Sequence, residues 1–124
     1  MGYEYINPEY LDSIASGDNG LIREIVDMFT VQTAEIYLEM NALLEQKDYK
    51  ALGLLAHKAK SSVAIMGMTE LATMLKTFEL NAREGIGNNE YDAFIARFRK
   101  DTGEAIRELN HLINSRKGIQ DDKY

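Results

Sequence analysis

A single proline, Pro8, in 124 residues, and apolar side chains recurring every third or fourth position, constrain this chain more than any other feature. That spacing lines one face of a helix of 3.6 residues per turn, whereas a half-buried strand needs alternation of period two, which is missing here. The sequence therefore reads as all-α. In "NPEYLDSIAS", Asn7 is placed to cap a short helix with Pro8 at its first position; Tyr10, Leu11 and Ile14 fall on one side and Gly17 stops it. Ile22, Ile25, Val26, Phe29, Ile36, Met40, Leu43 and Leu44 form the stripe of a long second helix ending near Lys47. Asp48 caps a third, with Leu52, Leu55, Ala56, Ala59, Val63 and Met66 inward and Gly67 closing or bending it. A fourth opens at Thr69 and turns Leu71, Leu75, Phe78 and Ala82 inward before the break "EGIGNN". Tyr91, Phe94, Ile95, Phe98, Ala105, Ile106, Leu109, Leu112 and Ile113 mark a long last helix, and the polar tail from about residue 116 is expected to fray.

Four long amphipathic segments joined by short connections bury their stripes most simply as an antiparallel four-helix bundle, with the short N-terminal helix covering one end. A chain of this length closes one core, so residues 1–124 are expected to form a single domain. Without cysteine there is no disulfide framework or thiolate chemistry, and a cytoplasmic location is the simplest expectation. No apolar run approaches the roughly 20 residues that span a bilayer. A net charge of −6 argues against a polyanion spread over the general surface, so nucleic acid is not an expected partner. "EGIGNN" lacks the preceding strand that a phosphate-binding glycine loop needs, and reads as a turn.

The chemistry concentrates in "LLAHKAKSSVAIMG", Leu54 to Gly67. At about 100° per residue, His57 falls opposite the inner stripe. One turn away lie Gly53, Lys60 and Ser61, with Ala64 a further turn along. A solvated face ordinarily carries long polar stems; this one carries small residues and accepts a helix-interior glycine that costs about 1 kcal/mol relative to alanine. An imidazole is largely neutral, and nucleophilic, at cytoplasmic pH, and Lys60 can place an ammonium near a phosphoryl group on the ring. No acid, base or metal cluster shares that helix face, which suits a carrier that receives an activated group and hands it on. Leu54 and Ile65, with Leu21 and Met28 of the preceding helix, lie off the inner stripes and could rim His57 as an apolar docking surface. His111 also faces outward, near Glu108, Asn110, Asn114 and Ser115, and reads as a solvated histidine. The six methionines read as core filling, and the Glu35/Glu39 and Asp101/Glu104 pairs lack the inward Glu-x-x-His motifs of a di-iron bundle.

"AHKAKSSVAIMGMTEL", Ala56 to Leu71, resembles the signature of histidine-containing phosphotransfer (HPt) domains, Ala-His-x-Leu-Lys-Gly-Ser with a glycine at the helix end. The match falls on Ala56, His57, Lys60, Ser62 and Gly67. "FELNAREG" is similar to the family's Leu-Glu-x-x-x-Arg segment, with Phe78, Glu79, Arg83 and Gly85 in register. Ala59 stands where leucine is usual, Ser61 where glycine is usual, and Met68, expected at the edge of the same face, where alanine is usual. The resemblance implies that His57 accepts a phosphoryl group from a phospho-aspartate and passes it on. The partner would be the receiver domain of a response regulator or hybrid histidine kinase, which brings the Mg²⁺; this chain would bind no cofactor or metal and work as a phosphocarrier, as a monomer. Lys60 would stabilise the phosphoryl group, and Gly53, Ser61 and Ala64 would give steric clearance. Glu79 would orient the ring through its other nitrogen or serve as a cap or inter-helix ion pair. A helical adaptor that binds a receiver or kinase by occupancy, without phosphorylation, is the alternative.

Overall fold

The computed structural model describes residues 3–121, with side chains through Arg116. Its elements are five α-helices, α1 (Pro8–Ala15), α2 (Asn19–Glu45), α3 (Tyr49–Ile65), α4 (Thr69–Glu84) and α5 (Tyr91–Asp121), plus a 3₁₀ turn, Asn88–Glu90, before α5. No strand occurs among the described residues. Each of the first three helices starts where an acidic or amide side chain can take an orphan backbone N–H. Asn7 accepts from Tyr10 at 3.2 Å, Asp18 from Leu21 at 3.1 Å and Asp48 from Ala51 at 3.2 Å. Helix α4 begins instead at Met68, which offers no side-chain cap.

The four long helices close a ring of contacts, α2 on α3, α3 on α4, α4 on α5 and α5 back on α2, with α3 and α4 packed most extensively. The core between them is built from the expected stripes: Ile22, Val26, Phe29, Ile36 and Met40 of α2, all six inner residues assigned to α3 and its end, Leu71, Leu75, Phe78 and Ala82 of α4, and Tyr91, Ile95, Phe98, Ala105, Leu109 and Leu112 of α5. Ile25, Leu43, Leu44, Phe94, Ile106 and Ile113 pack against it half-buried. The Tyr91 hydroxyl donates to the Ile86 carbonyl at 2.6 Å, pinning the "EGIGNN" turn on the start of α5.

The structure departs from the sequence reading in three places. On α1, Leu11 and Ala15 are buried, whereas Tyr10 and Ile14 stay more than two-fifths exposed; an eight-residue helix touching the bundle along one edge covers too narrow a sector to bury three apolar positions. Helix α5 runs past residue 116, the expected start of the polar tail, through Asp121. Arg116 supplies the reason: its guanidinium grips both carboxylate oxygens of Asp12 on α1, at 2.7 and 2.9 Å, and holds that carboxyl below its ordinary pKa. Residues 122–124 lie outside the described part. Third, residues 3–7 form an irregular strap, bent at Glu4 and Tyr5. Glu108 on α5 accepts the backbone N–H groups of Glu4, Tyr5 and Ile6, the Ile6 side chain enters the core, and the Asn7 N–H donates to the Met66 carbonyl at 3.3 Å. The strap crosses the α3–α4 corner, where Gly67 has φ +74° and its α-carbon faces Asn7.

Candidate functional site

Helix α3 buries one stripe against the core and turns His57 to the surface, with 56% of its side chain exposed. Leu52, Ala56, Ala59 and Val63 are fully buried on the opposite side. Ala59 thus lets α3 sit deep in the bundle where a larger side chain would lift it.

What the helix lacks, its neighbour supplies. Glu79 of α4 lies 3.1 Å from His57 Nδ1 through Oε1, 3.7 Å from Lys60 Nζ through the same oxygen, and 3.6 Å from an Arg83 guanidinium nitrogen through Oε2. The Glu79 side chain is only 4% exposed. Burial pushes its pKa up, but the hydrogen bond from His57 and the charges of His57, Lys60 and Arg83 outweigh burial and hold it below the ordinary carboxylate value. The group is therefore an anion at neutral pH. An ionised carboxylate only accepts, so the proton between it and the ring belongs to Nδ1, and the lone pair of the neutral imidazole lies on Nε2. Nε2 has no hydrogen-bond partner among the described residues.

The remaining expected site residues fall into two groups. Ser61, Ala64, Leu54, Ile65, Leu21 and Met28 are exposed, Met28 at 70%. The Ser61 hydroxyl donates back to the His57 carbonyl at 3.4 Å, a local bond within α3. Met28 lines a shallow groove between α2 and α3 with Asp27, Val31, Gln32, Glu35 and Lys58. Gly53, by contrast, does not face outward. It is buried, and a β-carbon there would meet the Glu79 carbonyl oxygen at 3.2 Å and the Arg83 nitrogen at 3.3 Å. It gives clearance to α4, not to a partner; the α3 surface beyond the inner stripe is shared between solvent and the neighbouring helix, which a helical wheel does not distinguish. Met68 likewise is buried at the α3–α4 corner and not at the edge of the histidine face.

Two contacts escaped the sequence reading. Ser62 donates to Gln32 Oε1 on α2 at 2.7 Å, tying the helix that carries His57 to its other neighbour. Nothing in the spacing marks Gln32, because the pairing of α2 with α3 fixes its role. His111 is not simply solvated: its Nδ1 lies 3.0 Å from the Tyr3 hydroxyl, with the rings edge to face at 5.9 Å, and it holds the strap. No cluster of three or more His, Cys, Asp or Glu suited to a metal is found among the described residues, and none of their helices is long and apolar enough to cross a membrane.

No curated protein and no solved structure matches the chain. The family model described as Hpt domain, however, matches residues 24–115, the span that contains α3, α4 and the whole His57–Lys60–Glu79–Arg83 cluster. The protein belongs to the Hpt domain family.

Proposed function

We propose that this protein is a histidine phosphotransfer domain that relays a phosphoryl group between His57 and the aspartates of receiver domains in two-component signalling. The observation that carries the reading is the hydrogen bond from His57 Nδ1 to the buried anionic Glu79, which reserves Nε2 as the nucleophile on an exposed ring. In the forward step the Nε2 lone pair attacks phosphorus and the bond from phosphorus to the aspartyl oxygen breaks. That oxygen leaves as carboxylate. The Nδ1 proton stays on the ring, whose new positive charge faces Glu79. The reverse step restores the acyl phosphate and the neutral imidazole.

Lys60 stands beside the ring as the stabiliser of phosphoryl oxygens, and the receiver supplies the acidic pocket and its Mg²⁺. Leu21, Met28, Leu54 and Ile65 form the apolar rim of the docking face, and Ser61 and Ala64 keep the approach to Nε2 low. Residues 1–124 act as one domain. The short connections favour an antiparallel up-and-down order of the four long helices. The protein works as a cytoplasmic monomer, without a cofactor of its own and without nucleic acid.

The test is incubation with a phosphorylated receiver and Mg²⁺, followed by intact mass. An acid-labile phosphate adduct is expected on the wild type and not on His57→Gln. A receiver that binds the wild type and leaves no adduct would overturn the relay in favour of an adaptor acting by occupancy.

A further inference from the structure

Gly53 has no conformational reason to be glycine. It lies inside α3, away from both ends, and its φ is not in the left-handed region. Its reason is contact. A β-carbon would stand 3.2 Å from the Glu79 carbonyl oxygen, 3.3 Å from the Arg83 backbone nitrogen and 3.2 Å from Arg83 Cγ, closer than ordinary van der Waals distance. Two of these three atoms are backbone, so a side-chain rotation cannot relieve them; α4 itself must give by a few tenths of an ångström. The turn of α4 that would move carries Glu79 and Arg83. Gly53 and His57, four residues apart, are neighbours one turn apart on the same face of α3.

We infer that Gly53 is a positioning residue: by letting the backbones of α3 and α4 approach, it sets the distance at which Glu79 holds His57 Nδ1. The 3.1 Å bond has little slack, because a displacement of a few tenths of an ångström takes it to the outer limit of a hydrogen bond. The carboxylate travels with α4, since Arg83, on the same turn, keeps hold of its second oxygen. With Nδ1 released, the ring is free to exchange its proton between the two nitrogens, and the fraction with a lone pair on Nε2 falls. The geometric part stands without any assignment of function; its effect on transfer rests on the proposed role of His57.

The experiment compares wild type, Gly53→Ala and Gly103→Ala by ¹⁵N NMR of the His57 ring above its titration, and by the rate of phosphorylation with phosphoramidate. In that reaction Nε2 bonds to phosphorus as the phosphorus–nitrogen bond breaks and ammonia leaves. Gly103 is the control, a glycine inside α5 at which a β-carbon meets nothing. Gly53→Ala is expected to move the ring from the Nδ1–H form to a mixture and to slow phosphorylation by about threefold to tenfold, while Gly103→Ala matches wild type. In a Glu79→Ala background the same Gly53→Ala change should leave both readouts where Glu79→Ala alone puts them. Unchanged ring shifts in Gly53→Ala overturn the inference. So does a Gly53→Ala protein that fails to fold, which assigns the glycine to assembly of the bundle. If the wild type takes no phosphoryl group from phosphoramidate or from a receiver, the proposed function fails, and the ring shifts alone still decide the role of Gly53.

Discussion

Replacing Glu79 by glutamine keeps the shape of the side chain and removes its charge, so it isolates what the anion contributes. The hydrogen bond with His57 changes from one to a charged group, about 1.5–3 kcal/mol, to a neutral one of about 1 kcal/mol. Lys60 and Arg83 lose their counter-ion. At their distances of 3.7 and 3.6 Å each pair would be worth about 4 kcal/mol at an effective dielectric of 20. Both cations reach solvent, with 24% and 52% of their side chains exposed, so water screens each pair to about 1 kcal/mol or less. Against these losses stands the relief of uncharging a buried group. The net expectation is a loss of about 1–2 kcal/mol near neutral pH, read in urea as a midpoint lower by roughly 0.5–1 M at a slope of about 2 kcal/mol/M. The pH dependence is the sharper test. Glu79 has its pKa lowered by folding from an ordinary 4.5, so its contribution is complete above that value and disappears as the pH falls through the lower folded-state value. The gap between wild type and Glu79→Gln should therefore be fully present above pH 4.5 and close as the pH falls through the lower folded-state value of Glu79. A gap that persists unchanged into acid, or a glutamine variant more stable than wild type at neutral pH, would refute the account.

Lys60→Ala should lower the rate of phosphoryl transfer to His57 by about tenfold while leaving the helical circular dichroism spectrum unchanged; an unaltered rate removes its assigned role. Gly67→Ala forces a β-carbon into a left-handed backbone with φ +74° and to within 2.7 Å of Asn7 Cβ, and should cost about 2 kcal/mol or more in urea unfolding. A loss under about 0.5 kcal/mol would show that the strap yields without consequence. Glu108→Ala removes the acceptor of three backbone N–H groups, and hydrogen exchange at Glu4, Tyr5 and Ile6 should accelerate at least tenfold while exchange in the centre of α3 stays as it was.

The helices and the core were legible because they rest on periodicity, which a single sequence displays directly. Asn7, Asp18 and Asp48 precede apolar stripes, and the residues read as inward on α2 to α5 are buried or half-buried in the bundle. His57 was legible for the same reason, as a residue opposite a stripe. Its spacing said nothing of which helix would stand beside it, and Glu79 entered only through the family resemblance. Glu79 is 22 positions away, and only the packing of α3 on α4 turns a residue at the edge of a stripe into the ring's partner. Gly53 and Gln32 depend on the same missing information, one as the contact with α4 and the other as the link to α2. The strap was missed because it has no period at all: four backbone N–H groups and one tyrosine hydroxyl of an irregular segment are bonded by a carboxylate, a carbonyl and a histidine that lie far along the chain.

That strap has a practical bearing on where the gene for this protein can be cut. The family match begins at residue 24 and ends at 115, and a fragment trimmed to those limits looks complete by likeness alone. It would nonetheless lack Ile6, Leu11 and Ala15 from the core and Asn7 from the corner where Met66 and Met68 are buried, and it would lose the clasp between Asp12 and Arg116. The boundaries that define kinship are narrower than those that close the core, and the difference is apolar surface that the rest of the described residues leave uncovered.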